Sequence, residues 1–393
     1  MKKKTLKIKK KTLKIISIGA AILVAISILA VFLLGNNSGS NPNLATIDYS
    51  NTYATVSTVY QRKTFLYNGV FWLFYCNGTN LYYTNSADGL NWRPPTTMGE
   101  GLSASDMSVW FENGTVHYTS TGGLDVPVVY KIGQIVDNEI IWKSEQSIVQ
   151  GTPTYEYYNA YSTIDSDGRP WVSFMRSENN FPESWYTEQV TRADSSSAEN
   201  WSPPMQVSNN SIIPMRPCLV PLPDAQIYAV SVSQNGVEGR VWNGTGWQTE
   251  ETVTNRHPAH DYAYSAVSLN GEVHLTFVEK STNSIYHYVR RANGQWQETL
   301  LSAEQDSVAA VLSADYQRNI IYSLAIQGNT LHVRKMENGV WADITIESLS
   351  LTSPQALSSF REVTDGKIGV ALLEKVSDSP ITYRLRYFVI KNL

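Results

Sequence analysis

A carboxylate set among phenols is the first grouping with chemical potential. Tyr155-Glu156-Tyr157-Tyr158-Asn159 places Glu156 beside three tyrosines. Glu156 with Tyr157 has the makings of a nucleophile and its base; the same run also makes a polar loop with stacked rings. Asp106, preceded by Ser105, suits proton donation, or equally a hydrogen bond at the start of a strand. Arg62 and Arg216 carry planar guanidinium forks that clamp a carboxylate bidentately or pair with neighbouring acids. His257-Pro-Ala-His260-Asp261-Tyr262 brings two imidazoles together at i, i+3 beside an acid, but a zinc site wants a third ligand, so no metal is expected. Asp165-Ser-Asp167-Gly168 is spaced like the start of a calcium loop but lacks the closing Glu of a 12-residue frame, and reads as a hairpin turn. For every candidate a structural role is the first alternative. Together, acids, aromatic rings, arginines and histidines are the chemistry of a carbohydrate site, where ring faces stack on sugars and charged groups bind hydroxyls. No Walker loop, dinucleotide fingerprint, nucleophile elbow or zinc-hydrolase helix accompanies them, so no cofactor is expected.

These residues lie between elements that repeat. A turn rich in Asn, Asp or Gly, followed by an alternating apolar strand, recurs at Asn68, Asn113, Asp167, Asp224, Asn270, Gln317 and Asp365, with spacings of 45, 54, 57, 46, 47 and 48. Asn-Gly and Asp-Gly supply the positive φ of a tight hairpin, and alternation marks half-buried strands. A second marker runs in phase: Trp92, Trp142, Trp201, Trp247, Trp296 and Trp341 each open a further strand. The fifth unit divides into Tyr264–Leu269, Glu272–Glu279, Ser284–Arg290 and Gln295–Leu301. Four antiparallel strands in such a unit make a β-propeller blade. The expectation is an all-β propeller of seven four-stranded blades over residues 46–393, with six as the alternative. The last unit stops after its third strand, Ile381–Ile390, so Thr46–Val59 is expected to supply the missing fourth and seal the edge. The stretches leading into the innermost strands then converge on one face. They carry Arg62, Asp106, Tyr155–Asn159, Arg216, His257 to Tyr262, Glu304 and Asp306.

Charge and hydropathy place the propeller outside a membrane. The chain has 393 residues, 42% hydrophobic and 17% charged, with 23 Tyr and 11 Trp. Of 31 Lys and Arg, eight lysines fall in residues 1–34, which hold no acid; the remaining 23 face 35 acids, a net of −12. A body this acidic is unsuited to nucleic acid, whose phosphates require clustered cations. Residues 15–34 are uncharged and long enough for one bilayer crossing. The lysines of residues 1–14 put that end in the cytoplasm, and residues 35–45 read as a flexible tether. A cleaved signal peptide would have a shorter apolar stretch and a small-residue cleavage site, so an uncleaved, single-pass anchor is expected. Cys76 and Cys218, in the first and fourth units, are expected to be separate buried thiols.

Ser86-Ala-Asp88-Gly89-Leu-Asn-Trp92 resembles the Asp-box, or BNR repeat, of sialidases and related propellers, one residue shorter than the usual spacing. Ser195-Ser-Ser-Ala-Glu-Asn-Trp201 aligns with it without the Asp and Gly. In such a turn the Asp accepts backbone N–H groups, the Gly takes positive φ and the Trp packs between blades. The resemblance implies a sialidase-like propeller. For an active sialidase it further implies an arginine triad, a Tyr–Glu nucleophile pair and an Asp acid, roles open to Arg62, Glu156 with Tyr157, and Asp106. Around Arg62 the chain reads Tyr60-Gln-Arg62-Lys-Thr-Phe65, without the Ile-Pro that follows the first arginine of that family. Two functions are therefore carried. The first is a membrane-anchored module binding glycans or cell-surface proteins through Arg62, Tyr155, Arg216, His257, His260, Asp261 and Tyr262. The alternative is a sialidase-like glycoside hydrolase acting on exocellular glycans.

Overall fold

The structure, a computed structural model, describes residues 43–100, 103, 106–178, 185–214, 216–259, 263–344 and 349–393. The lysine-rich segment, the expected membrane span and most of the tether lie outside these residues. Among the described residues no helix is long and apolar enough to cross a membrane.

The described chain is all-β, with one short 3-10 turn at Tyr53–Thr55. Its strands form seven antiparallel sheets, each built on a meander of strands consecutive in the chain. The fifth sheet shows the plan: Tyr264–Leu269, Glu272–Val278, Ile285–Arg290 and Trp296–Ser302, within a residue or two of the expected boundaries. The recurring turns all join the first strand of a sheet to its second. Asn68-Gly69, Asn113-Gly114, Asn270-Gly271 and Asp365-Gly366 take positive φ at both central residues, as does Asp224-Ala225 without a glycine. That conformation matches the strand twist, and Asn and Asp tolerate it. The second and third sheets each carry a fifth strand, Gln146–Val149 and Gly123–Leu124, both within the 54-residue interval from Asn113 to Asp167.

Innermost strands touch in succession and the last returns to the first, closing a ring. Short polar side chains tie them. Ser108 Oγ accepts from Ser162 N at 2.8 Å, Ser265 Oγ from Leu312 N at 3.0 Å, and Ser358 Oγ from Lys63 N at 3.3 Å. Between sheets lie the apolar clusters, such as Phe65, Trp72 and Phe74 against Met107, Val109 and Val116. The seventh sheet is completed by Leu44–Ser50, which pairs with Ile381–Ile390. The expected closing strand ran on to Val59; the observed one ends at Ser50. There Ser50 Oγ and Thr52 Oγ1 draw backbone N–H groups into a turn that caps the 3-10 segment.

The tryptophans act as wedges between sheets. Trp92 meets Tyr387 of the seventh sheet edge-on with ring centroids 4.6 Å apart, and Trp201 meets Tyr130 of the second at 4.8 Å. Trp247 meets Trp171, Trp296 meets Tyr228 and Trp341 meets His287, each a ring of the preceding sheet. Trp142 packs into the cluster joining the first two sheets. Cys76 and Cys218 are buried thiols in the first and fourth sheets.

Candidate functional site

The innermost strands start at what we call the head face of the ring. Asp106 sits at the head of the second sheet's inner strand, Met107–Glu112. The third sheet's inner strand, Tyr155–Ile164, runs beside it and bulges between Tyr158 and Tyr161. In that bulge Asn159 takes φ +57, and its N–H reaches Asp106 Oδ1 at 3.4 Å. Burial raises the Asp106 carboxyl to about 6, against the pull of this N–H and of the charges on Arg216 and Lys63. Lys63 is fully buried, donating to Gln61 Oε1 at 3.0 Å and to the Met107 carbonyl. Its burial holds the ammonium well below its usual range, partly restored by Asp106.

Strand alternation separates the expected nucleophile pair. Tyr157 points into the apolar cluster between the second and third sheets, against Phe174 at 5.3 Å. Glu156 lies on the other face, where its partner phenol is Tyr158, and burial followed by the Glu156 charge raises that phenol. Glu156 and Tyr158, two apart, share a strand face, whereas Tyr157 lies on the opposite one. Tyr186 and Asp106 are further neighbours of Tyr158. Tyr155 is half-buried, with the Arg176 guanidinium 4.6 Å from its ring centre. His257 is half-buried, and its carbonyl accepts from Lys280 N. Ser105, His260, Asp261 and Tyr262 lie outside the described residues. Glu304 and Asp306 are exposed before the sixth sheet's inner strand.

Arg62 does not open onto the head face. It is 4% exposed and reaches across the channel, where its Nη2 donates to Ser265 Oγ at 2.9 Å and to the Leu312 carbonyl at 2.7 Å. Burial lowers it to about 10, which still leaves it charged at neutral pH. Tyr60 stacks on Tyr264 at 5.0 Å and meets Tyr161 at 5.8 Å, so buried rings fill the channel. Arg62 lines a cavity of about 530 Å³ on the tail face, where the innermost strands end. Arg361 also lines it; Arg216 instead acts on Asp106. Arg62 and Arg361 thus belong to the tail face, and Arg216 to the head face.

The Ser86–Trp92 turn has the expected local geometry. Asp88 Oδ1 accepts from Leu90 N at 2.8 Å and Asn91 N at 2.7 Å, and Gly89 takes φ +78. Trp92 Nε1 donates to the Gly89 carbonyl at 3.1 Å. Trp201 Nε1 donates to the Ala198 carbonyl at the same 3.1 Å, with Ala198 at φ +57. The second turn thus keeps the backbone after losing both key residues. The Asp165 turn uses its carboxylate internally, accepting from Asp167 N, Arg169 N and Trp171 Nε1, as a hairpin turn does.

Lys63, Tyr158 as the partner of Glu156, Trp110 and Arg361 were missed from sequence. Period-two alternation would have selected Tyr158. Trp110 and Arg361 lie at the far ends of inner strands, away from the loops expected to hold the site.

No protein-family model matches the chain, and no curated protein matches it in sequence. Solved structures with the same β-propeller fold do. An ulvanlyase polysaccharide lyase bound to -[GlcA(1-4)Rha3S]- superposes with a TM-score of 0.53 at 13% identity, covering 86% of this chain and 95% of the other. The polysaccharide lyase Uly1 gives 0.52 at 10% identity, covering 84% and 90%. AofleA from Arthrobotrys oligospora gives 0.52 at 11% identity, covering 80% and 92%. At these identities the likeness is one of fold.

Proposed function

We propose that this chain is a seven-bladed propeller of the sialidase-like kind, held outside a membrane by residues 15–34, that binds glycans at its head face. The observation that carries this is the grouping of Asp106, Glu156, Tyr158 and Arg216, contributed by three consecutive sheets at the heads of their inner strands. Phenol rings and ionisable groups side by side suit a sugar, which offers both a stacking face and hydroxyls. Polysaccharide lyases of the same fold, one solved with a sugar chain, lend the reading support. The Ser86–Trp92 turn is proposed as an Asp-box with a structural task. A glycan array probed with the full chain tests the proposal: binding to one glycan class, lost in Tyr158→Ala, supports it. Silence across the array, with a surface protein captured through the same face, would favour a protein ligand.

A second function, glycoside hydrolysis, is favoured by the Glu156–Tyr158 contact and by an Asp106 carboxyl whose pKa of about 6 keeps part of it protonated near neutrality. Turnover of a fluorogenic sugar panel, abolished by Glu156→Gln and Asp106→Asn, would establish it. Protease digestion of intact cells, removing the propeller from outside, tests the anchor.

A further inference from the structure

The tail-face cavity has no part in the proposed glycan site. It is rimmed by the repeat turns at Asn68, Asn113 and Asp365, and its wall carries two guanidinium groups, Arg62 and Arg361. Arg62 is buried with Nη1 lacking a hydrogen-bond partner, and its charge and that of Arg361 disfavour one another. Trp110, 4% exposed and also in the wall, holds an indole N–H without a partner. Arg361 lies over the Trp110 ring at 3.9 Å, and its Nη1 and Nη2 donate to Tyr316 OH at 3.0 Å and Glu362 at 3.3 Å. Buried donors normally find acceptors, and two cations side by side favour an anion. The other charged groups in the wall are Glu112, Glu362 and Asp365, all three exposed. Carboxylates there repel a bare anion but accept hydrogen bonds from hydroxyl groups. The cavity volume is in the range of small-ligand sites. The channel above is filled by Tyr60, Tyr161 and Tyr264, which separates this cavity from the head face.

We infer that the tail-face cavity is a second binding site, taking a sugar acid whose carboxylate meets Arg62, Arg361 and the Trp110 N–H while its hydroxyls face the acidic wall. The ligand class combines one carboxylate with several hydroxyls. Neither a neutral sugar nor a simple carboxylate satisfies both halves of the cavity.

Calorimetric titration of the full chain with glucuronate, glucose and acetate tests this. Glucuronate is expected to bind, with glucose and acetate at least tenfold weaker. Arg361→Gln is expected to weaken glucuronate at least tenfold. Trp110→Phe, which keeps the ring and removes the N–H, should weaken it several-fold; both changes leave the buried Arg62 in place. Asp106→Asn should leave the affinity unchanged. Absence of glucuronate binding, equal binding of acetate or glucose, or indifference to Arg361→Gln each overturns the inference. Loss of glucuronate binding in Asp106→Asn alone would move the ligand to the head face and overturn it too.

Discussion

The indole of Trp92 meets the ring of Tyr387 edge-on, and in that contact the first sheet is fixed to the seventh. The Trp92 N–H is bound to the Gly89 carbonyl, so the ring is aimed by its own turn. Trp92→Ala removes the wedge at the ring's closing joint. Because Trp92 is half-buried, the cost is expected to be about 2–3 kcal/mol, below that of a fully buried tryptophan. Urea denaturation measures it, and Trp92→Phe should recover part of the loss.

Ala198 holds the backbone conformation that Gly89 holds in the first sheet. A Cβ is unfavourable at positive φ, so Ala198→Gly is expected to stabilise the chain, by up to about 1 kcal/mol. Gly89→Ala should act oppositely and more strongly, since its methyl would collide with Val389. Paired thermal melts of the two variants give the signs.

His274 and His287 stack between strands of the fifth sheet, with Nδ1 of one 3.1 Å from Nε2 of the other. Burial lowers His274 to about 4, and burial followed by the His274 charge lowers His287 further. Glu272 lies 3.8 Å from His274, but Arg291 beside it opposes protonation. Below the ordinary histidine value the unfolded chain binds protons that the folded chain refuses. Stability is therefore full above about pH 6.5 and falls as pH drops towards 4. The double variant His274→Phe, His287→Leu should flatten this slope, as read by denaturant midpoints across pH 4–7.

Asp106 carries the opposite sign. Its folded carboxyl keeps a proton up to about pH 6, above its ordinary value of 3.8, so ionisation opposes folding as pH rises through that window. Asp106→Asn is expected to add about 1–2 kcal/mol of stability at pH 7.5 and almost none at pH 4. Melting temperatures at the two pH values check it. Sugar binding at the head face should weaken in the same variant.

Much of the ring could be read from residues because its signals are local. Asn-Gly and Asp-Gly turns fix hairpins by backbone sterics alone, and the period-two alternation of Glu272–Val278 fixes a strand face. The final strand matches Ile381–Ile390 residue for residue for the same reason. The site was less legible because its geometry is non-local. That Arg62 would turn inward to Ser265 and Leu312 depends on contacts 203 and 250 residues away. The pairing of Glu156 with Tyr158 was open to sequence, since alternation alone decides it. The meeting of Trp110 with Arg361 requires the first sheet and its two neighbours to be in place, and no spacing encodes it.

A shortened chain lacking residues 1–51 would leave Ile381–Ile390 with an unpaired edge. Such an edge is a template for other strands. The variant is expected to self-associate, seen as a shift in size-exclusion elution, and to recover when a peptide spanning residues 43–51 is added.

The same joint sets a timetable for synthesis. Leu44–Ser50 leaves the ribosome ahead of the first six sheets, while its partner Ile381–Ile390 follows all of them. That strand must wait, unpaired, until the six intervening sheets have been made. Contacts between such distant segments form slowly, and waiting edges invite wrong partners. Closure of the ring is therefore gated by the arrival of its seventh sheet.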